Sequence, residues 1–395
     1  MFAIRTRTEL LQSAVEKTGQ ISLEYGHRAV AYIPTRYLEN HAASLAELSN
    51  GDILAVWFAG DVEEGKAGIR IVQSRLNRDS DRWTEPVEVS GDPVRSEQNP
   101  VLFEAPDGKL WLMYTAQDAQ TMSREEYGKL HPGGAYTRQE TAVIRLRISE
   151  DNGYTWGPVG VFSENPGSFC RTPIVVLDNG DWIFPMWYSL ADGVTAYGSD
   201  YSVVRISTDK GQSWTEYPIP GSRGRVHASL IEDGGGKLTA FFRSRSADNI
   251  YVGYSEDYGR TWTEPVRTSL PNNNASIRAI RLKSGRIAMI YNHCRGGDDP
   301  AATLWPKERY PVTVALSEDG GVTWPYRRHV DAGDGFDGEA NRGLNRKYEY
   351  PWILQDREGL LHAVYSFAGR VGIKHVLFTE DWVIGLRKEK EGRSL

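Results

Sequence analysis

Three kinds of side chain in this sequence are equipped for chemistry on an anion. A short acidic loop, Gly60-Asp-Val-Glu-Glu-Gly-Lys-Ala-Gly68, offers Asp61, Glu63 and Glu64 as proton donors. A general acid needs a pKa raised by partial burial and a place within reach of the leaving oxygen. The loop alone does not choose among the three, and a solvated acidic turn is the competing reading. Arg243, with Arg245 as a near alternative, and Arg309 offer planar guanidinium forks that suit a carboxylate. Ion pairing between strands would be their other use. His41, His227 and Tyr350 are the side chains here that could pass protons. Asn99, Arg171 and Arg370 each open or end a strand at corresponding places along the chain, and are further binding candidates.

These residues are scattered over more than 300 positions, so a repeating scaffold must bring them together. Four copies of Ser-x-Asp-x-Gly-x-Thr/Ser-Trp supply one, at Ser149–Trp156, Ser207–Trp214, Ser255–Trp262 and Ser317–Trp324. The Asp can accept backbone N–H bonds, and the Gly two residues on can take positive φ, so each copy suits a tight hairpin. The closing Trp can wedge between neighbouring sheets. The Trp residues lie 58, 48 and 62 positions apart, the span of one four-stranded blade with a variable loop. A degenerate copy runs from Ser74 to Pro86 around Trp83, and Phe378-Thr-Glu-Asp-Trp382 is read as a sixth remnant.

Upstream of the boxes, apolar stretches flank Asp/Gly turns, as antiparallel hairpins do. The pairs are Ala43–Leu48 with Ile53–Phe58, Ile174–Leu177 with Trp182–Trp187, Ser229–Glu232 with Leu238–Arg243, and Ile353–Gln355 with Leu360–Tyr365. The expectation is an all-β fold, a six-bladed β-propeller of four-stranded antiparallel blades over residues 21–385, closed by a strand from residues 21–33. Residues 1–20 form an N-terminal extension, helical in part, and 386–395 a frayed tail. Insertions at about 116–140 and 293–309 have the length of functional loops. Net charge is −6 with both signs interspersed, which gives no footprint for nucleic acid. Cys170 and Cys294 are too few and too far apart for a disulfide framework or a metal site, so no cofactor is expected. A structural calcium held by backbone carbonyls would leave no mark. No run of eighteen apolar residues suggests a membrane span, and the first residues lack the apolar core of a leader. The chain as it stands therefore reads as cytoplasmic, although one trimmed of a leader would read the same way.

The repeated motif is the Asp-box, and over about residues 21–382 the chain resembles the sialidase (neuraminidase) superfamily of β-propellers. The resemblance implies a triad of Arg around a substrate carboxylate, a Tyr nucleophile activated by a Glu, and an acid on the loop after the first hairpin. On these positions Arg243 and Arg309 match two of the Arg, Tyr350 matches the nucleophile, and Asp61 or Glu64 the acid. His41 stands where the family has its first Arg, and His227 where it has the Glu. Arg171 could replace the missing Arg, and His227 could act as the base for Tyr350. The resemblance implies an acidic oligosaccharide or glycoside as substrate and a sialidase-like exo-glycosidase as function. The two His suit a β-eliminating lyase on uronic-acid glycosides, of ulvan lyase or rhamnose–glucuronate lyase type, better than they suit hydrolysis. A non-catalytic glycan-binding propeller is the third reading, since fold does not fix function.

Overall fold

The boxes act first, because their geometry is local. In the computed structural model, which describes residues 16–24, 28–132, 134, 136–190, 197–332 and 347–385, all four are built alike. Ser149 Oγ donates to Asp151 Oδ1 (2.7 Å) and accepts from Gly153 N (2.8 Å), while Thr155 donates to Asp151 through N (2.8 Å) and Oγ1 (2.6 Å). The same bonds recur around Asp209, Asp257 and Asp319. Two consecutive residues take positive φ in each turn, as at Asn152 (58°) and Gly153 (80°). The box glycine also packs against the preceding blade. A Cβ on Gly259, at φ 84°, would sit 2.5 Å from Ile183 Cδ1. Gly259→Ala is therefore expected to destabilise the protein by about 1–3 kcal/mol, measured as a lowered urea midpoint with unchanged m-value.

Hydrogen bonds from Thr or Ser hold the box carboxyls Asp151, Asp209 and Asp319 down to about 2, from an ordinary 3.8. A carboxyl depressed on folding stabilises the fold above its unfolded pKa and ceases to do so as pH falls through the folded one. Stability against urea should thus drop between pH 3.8 and about 2. An Asp151→Asn, Asp209→Asn, Asp319→Asn triple variant should show a shallower drop.

The boxes sit between the third and fourth strands of successive antiparallel sheets, each listed here from the innermost strand outward. Blade 1 is Glu39–Glu47, Ile53–Gly60, Arg70–Leu76 and Val87–Glu88. Blade 2 is Arg95–Glu104, Leu110–Asp118, Val143–Ser149 and Gly160–Ser163. Blade 3 has a split inner strand, Ser168–Cys170 and Val175–Val176, both pairing with Trp182–Tyr188, then Tyr201–Ser207 and Thr215–Pro218. Blade 4 is Arg225–Gly234, Lys237–Ser244, Asn249–Ser255 and Val266–Pro271; blade 5 is Arg278–Arg281, Ile287–Asn292, Val312–Ser317 and Tyr326–Asp331. Blade 6 is Glu349–Gln355, Leu361–Phe367 and Gly372–Phe378, completed by Arg28–Ile33 and Ser22–Glu24 from the start of the chain. That closure ties the two ends of the ring through backbone hydrogen bonds, as the sequence suggests.

The core lies between the blades, where alternate side chains of facing sheets interdigitate. Trp83 of the degenerate box is buried and donates to His375 Nδ1 (3.0 Å), joining blade 1 to blade 6. The sixth remnant is not a box. Thr379 caps a short helix, α1 (Glu380–Ile384), by accepting from Trp382 N (3.1 Å), so Asp381 sits inside a helix turn. It lacks the Gly that the box turn requires. The expectations for residues 1–15 and 386–395 lie outside the described residues.

Candidate active site

Four inner strands share one irregularity near their start. Their register slips between His41 and Ser44, Gln98 and Val101, Val226 and Ser229, and Glu349 and Trp352. The bulged residues Ala42, Asn99, His227 and Tyr350 have φ of 58°, 50°, 55° and 53°, and Asn274, just before the inner strand of blade 5, has 57°. Positive φ is costly for a His or Tyr, about 1–3 kcal/mol each, and persists where the surroundings impose it. Bulges of this kind re-aim side chains beside functional sites. Here three of them, Asn99, His227 and Tyr350, line a cleft of about 660 Å³ at the central channel.

Tyr350 is the centre of that cleft. Its Oη accepts from Arg243 Nη1 at 2.6 Å, and the guanidinium carbons of Arg243 and Arg309 lie 5.2 and 5.4 Å from its ring centre. Burial pushes the phenol up, but the positive charges of Arg243 and Arg309 outweigh it, with Arg245 adding to them, and the pKa ends below its ordinary 10.0. Arg243 is fully buried. Its Nε donates to Asn274 Oδ1 (2.8 Å), and Nη1 divides its two hydrogens between Tyr350 Oη and His227 Nε2 (3.1 Å). Its Nη2 has no protein partner, on a residue that lines the cleft. Arg309 also lines the cleft, with Nη1 3.1 Å from Glu349 Oε1 though off the hydrogen-bonding direction. Arg245 lines it too, anchored by Asp200 Oδ2 at 3.1 and 2.5 Å, with the Trp305 ring 4.9 Å away.

His227 is neutral and its tautomer follows from its partners. Arg243 can only donate, so Nε2 is the acceptor and Nδ1 carries the hydrogen, given to Ser276 Oγ (3.0 Å). Burial, reinforced by Arg243, holds its pKa well below 6.5. The ring stacks on Trp187 at 4.3 Å. Its lone pair is thus occupied by Arg243, whose Nη1 also donates to Tyr350 Oη, while the His227 and Tyr350 rings meet edge to face at 5.6 Å.

Three expectations need correction. His41 does not line the cleft; it lies beneath the Tyr350 ring at 4.3 Å, with Nδ1 2.7 Å from Ser366 Oγ. By register it corresponds to Gln98, Val226 and Glu349, one residue before the bulge, so the bulge position of blade 1 belongs to Ala42. Arg171 is no carboxylate clamp. It sits in the break of the blade 3 inner strand and donates to the carbonyls of Ala42 (2.9 Å), Ala43 (2.8 Å) and Tyr350 (3.3 Å). That guanidinium ties blades 1, 3 and 6 across the channel below the cleft. Asp61 is exposed outside the cleft and accepts from Leu38 N at 3.3 Å, while Glu63 faces Arg124 at 3.5 Å.

Glu64 does reach the cleft, as do Asn99 and Arg370. Arg370 holds Glu64 Oε2 and Glu39 Oε1 at 2.7 Å each and Glu349 Oε2 at 2.6 Å. Glu39 and Glu349 carry no mark in the sequence, beyond each standing near the start of an inner strand. Both long insertions roof the cleft. The first folds into a helix, α2 in order of mention (Arg124–Leu130), and contributes Arg124, Tyr136 and Thr137; the second contributes Trp305.

Comparison with known proteins agrees with this architecture. The family described as "BNR repeat-like domain" matches residues 51–363. A sialidase of Bacteroides fragilis (strain YCH46) is 25% identical over 253 residues, which is 59% of this chain and 41% of that protein. The chain thus spans less than half the length of that relative. Among solved structures, the Hadza microbial sialidase Hz136 superposes with a TM-score of 0.67 at 18% identity, covering 88% of this chain and 67% of that one. A protein of unknown function from Dyadobacter fermentans DSM 18053 gives 0.67 at 17%, covering 89% and 97%. The intramolecular trans-sialidase of Ruminococcus gnavus, in complex with oseltamivir carboxylate, gives 0.65 at 15%, covering 88% and 96%. With the family match running from the first blade into the last, and four box turns of one geometry between them, the chain belongs to the BNR repeat-like domain family and has the six-bladed propeller fold of the sialidases.

Proposed function

We propose that the protein is a retaining exo-glycosidase acting on a carboxylate-bearing sugar, with Tyr350 as nucleophile. The observation that carries this reading is the Tyr350–Arg243 contact inside the cleft, with Arg243 Nη2 left over as a donor. One guanidinium can stabilise the phenolate and offer its other nitrogen to the sugar. Arg309 and Arg245 line the same cleft and add the positive charge that Arg171 does not. A phenol suits this substrate because a carboxylate nucleophile would repel an anionic sugar. The distant relation to a sialidase agrees with an acidic substrate.

In the first step Tyr350 reacts as the phenolate that Arg243 stabilises, its proton having gone to solvent on ionisation, and its oxygen bonds to the anomeric carbon as the glycosidic C–O bond breaks. The bond pair goes to the leaving oxygen, which takes a proton from a cleft carboxyl. Water then attacks the anomeric carbon, returns a proton to that carboxylate, and releases the Tyr350 oxygen with its electron pair. Elimination with a His as base would need a His lone pair in the cleft. His227 has lent its own to Arg243 and His41 lies below the floor, which supports hydrolysis over that alternative.

Mass spectrometry of products from a panel of sialosides and uronate glycosides tests the reading. The expected product has gained one water. An unsaturated uronate absorbing in the ultraviolet would overturn it in favour of a lyase. Binding without turnover, unchanged in affinity in Tyr350→Ala, would leave a glycan-binding propeller.

A further inference from the structure

The Arg370 cluster does more than anchor a cation. Three carboxylates, Glu39, Glu64 and Glu349, meet one guanidinium, and among the described residues the only second cation in contact is Arg309, at Glu349. Glu39 and Glu64 accept from the same nitrogen, Nη1, at 2.7 Å each. Two carboxylates drawn to one point repel each other, and a proton held by the pair relieves the repulsion.

The three carboxyls are not equivalent. Glu349 is buried between two guanidiniums; burial favours its neutral form, but Arg370 and Arg309 outweigh it and hold it well below the ordinary range. Glu39 has Arg370 alone. Burial pushes its carboxyl up, Arg370 offsets only part of that, and the charges of Glu64 and Glu349 push it further up. Glu39 begins the inner strand of blade 1 and pairs with Gly60, where the Glu64 loop leaves the sheet. Both acids line the cleft, each with about a quarter of its side chain exposed. The same cleft holds the buried, unpartnered Arg243 Nη2, an independent sign that an anionic ligand belongs there.

We propose that Glu39 is the proton donor to the leaving oxygen, with the Glu64 carboxylate held beside it on the same Arg370 nitrogen. The assignment rests on the glycosidase reading above. In the first half-reaction the glycosidic oxygen takes the bond pair and the Glu39 proton, leaving Glu39 anionic. In the second, the attacking water gives its proton to Glu39 and its oxygen to the anomeric carbon, which restores the starting state.

The test compares two glycosides of one acidic sugar, one with an alkyl alcohol and one with a nitrophenol as leaving group. Nitrophenolate departs without a proton. Glu39→Gln is therefore expected to lose about 10²-fold or more in kcat/KM on the alkyl glycoside, but less than about tenfold on the nitrophenyl glycoside. The fall in kcat/KM at high pH, where the acid has ionised, should vanish in that variant. Glu39→Asp, which keeps a carboxyl, should recover part of the alkyl activity, and circular dichroism checks that both variants fold. Equal losses on the two substrates, or no loss on either, would overturn the proposal. Infrared spectroscopy of the resting protein at neutral pH gives a readout that needs no turnover. A protonated-carboxyl band should be present in the parent and absent in Glu39→Gln. Turnover without the band sinks the role of Glu39 alone. The band without turnover on any acidic sugar sinks the glycosidase reading, and with it the leaving group that Glu39 would serve.

Discussion

Tyr350→Phe is expected to lose about 10³-fold or more in kcat, the scale seen when a covalent nucleophile is removed. Affinity for a non-hydrolysable acidic sugar should change less than about tenfold, because Phe keeps the ring above His41 and Arg243 keeps its other partners. The substitution removes one oxygen, whose only hydrogen bond among the described residues is the 2.6 Å bond from Arg243. The stability cost should accordingly be small, about 1–2 kcal/mol, readable in a urea titration. A variant that kept most of its kcat would remove Tyr350 from the reaction. Parallel losses in kcat and affinity, with a collapsed melting transition, would instead make Tyr350 a structural residue.

Arg243→Ala should be more damaging and in a different pattern. It removes the donor to the phenol and the free Nη2, and leaves Asn274 Oδ1 and His227 Nε2 without their partner. Loss of one preorganised donor to a reacting oxygen typically costs about 10²–10³ in kcat, and the lost carboxylate contact should raise KM as well. The sign of the phenol shift is a separate check. The Arg243 charge holds Tyr350 below 10.0 against burial, so without it the phenol should ionise at higher pH than in the parent, as read by ultraviolet difference titration. An unchanged phenol pKa would show that Arg309 and Arg245 suffice. Arg243→Lys should restore charge but not the fork, because one ammonium cannot serve Asn274, His227 and Tyr350 while offering a further nitrogen to the sugar. It is expected to recover the phenol pKa more than the turnover.

Some of the site could be read from the residue types. Arg243, Arg309 and Tyr350 stand at family positions, and all three line the cleft. Glu64 was one of three acids in a loop, and nothing in that loop separates it from Asp61. The separation comes from Arg370, 306 positions away, which reaches Glu64 and not Asp61. Arg171 was misplaced for a related reason. A lone Arg beside a broken strand looks like a binding residue, yet the break exposes carbonyls of other blades that use its hydrogens. Glu39 and Glu349 could not be read at all, since a Glu at a strand end is usually a solvated surface charge.

The sequence by itself determined the ring. Each Asp-box closes its hydrogen bonds within about six residues, so the turn, the glycine and the wedged Trp are fixed locally and their spacing counts the blades. Blade 6 shows the limit of this rule, because its Trp382 lies inside a capped helix and closure comes instead from residues at the start of the chain. The layout of the cleft, by contrast, arises in three dimensions. The positive φ at His227 and Tyr350 is imposed by bulges where inner strands crowd the channel, not by a Gly or Asn that would announce it. The proton and charge balance of the cleft depends on Arg370 of blade 6 meeting Glu39 of blade 1, a contact that exists only because the ring closes between those two blades. Local hydrogen bonds are legible in a chain because their partners are neighbours in it; the cleft's electrostatics are not, because their partners lie far apart in the chain and many come from different blades.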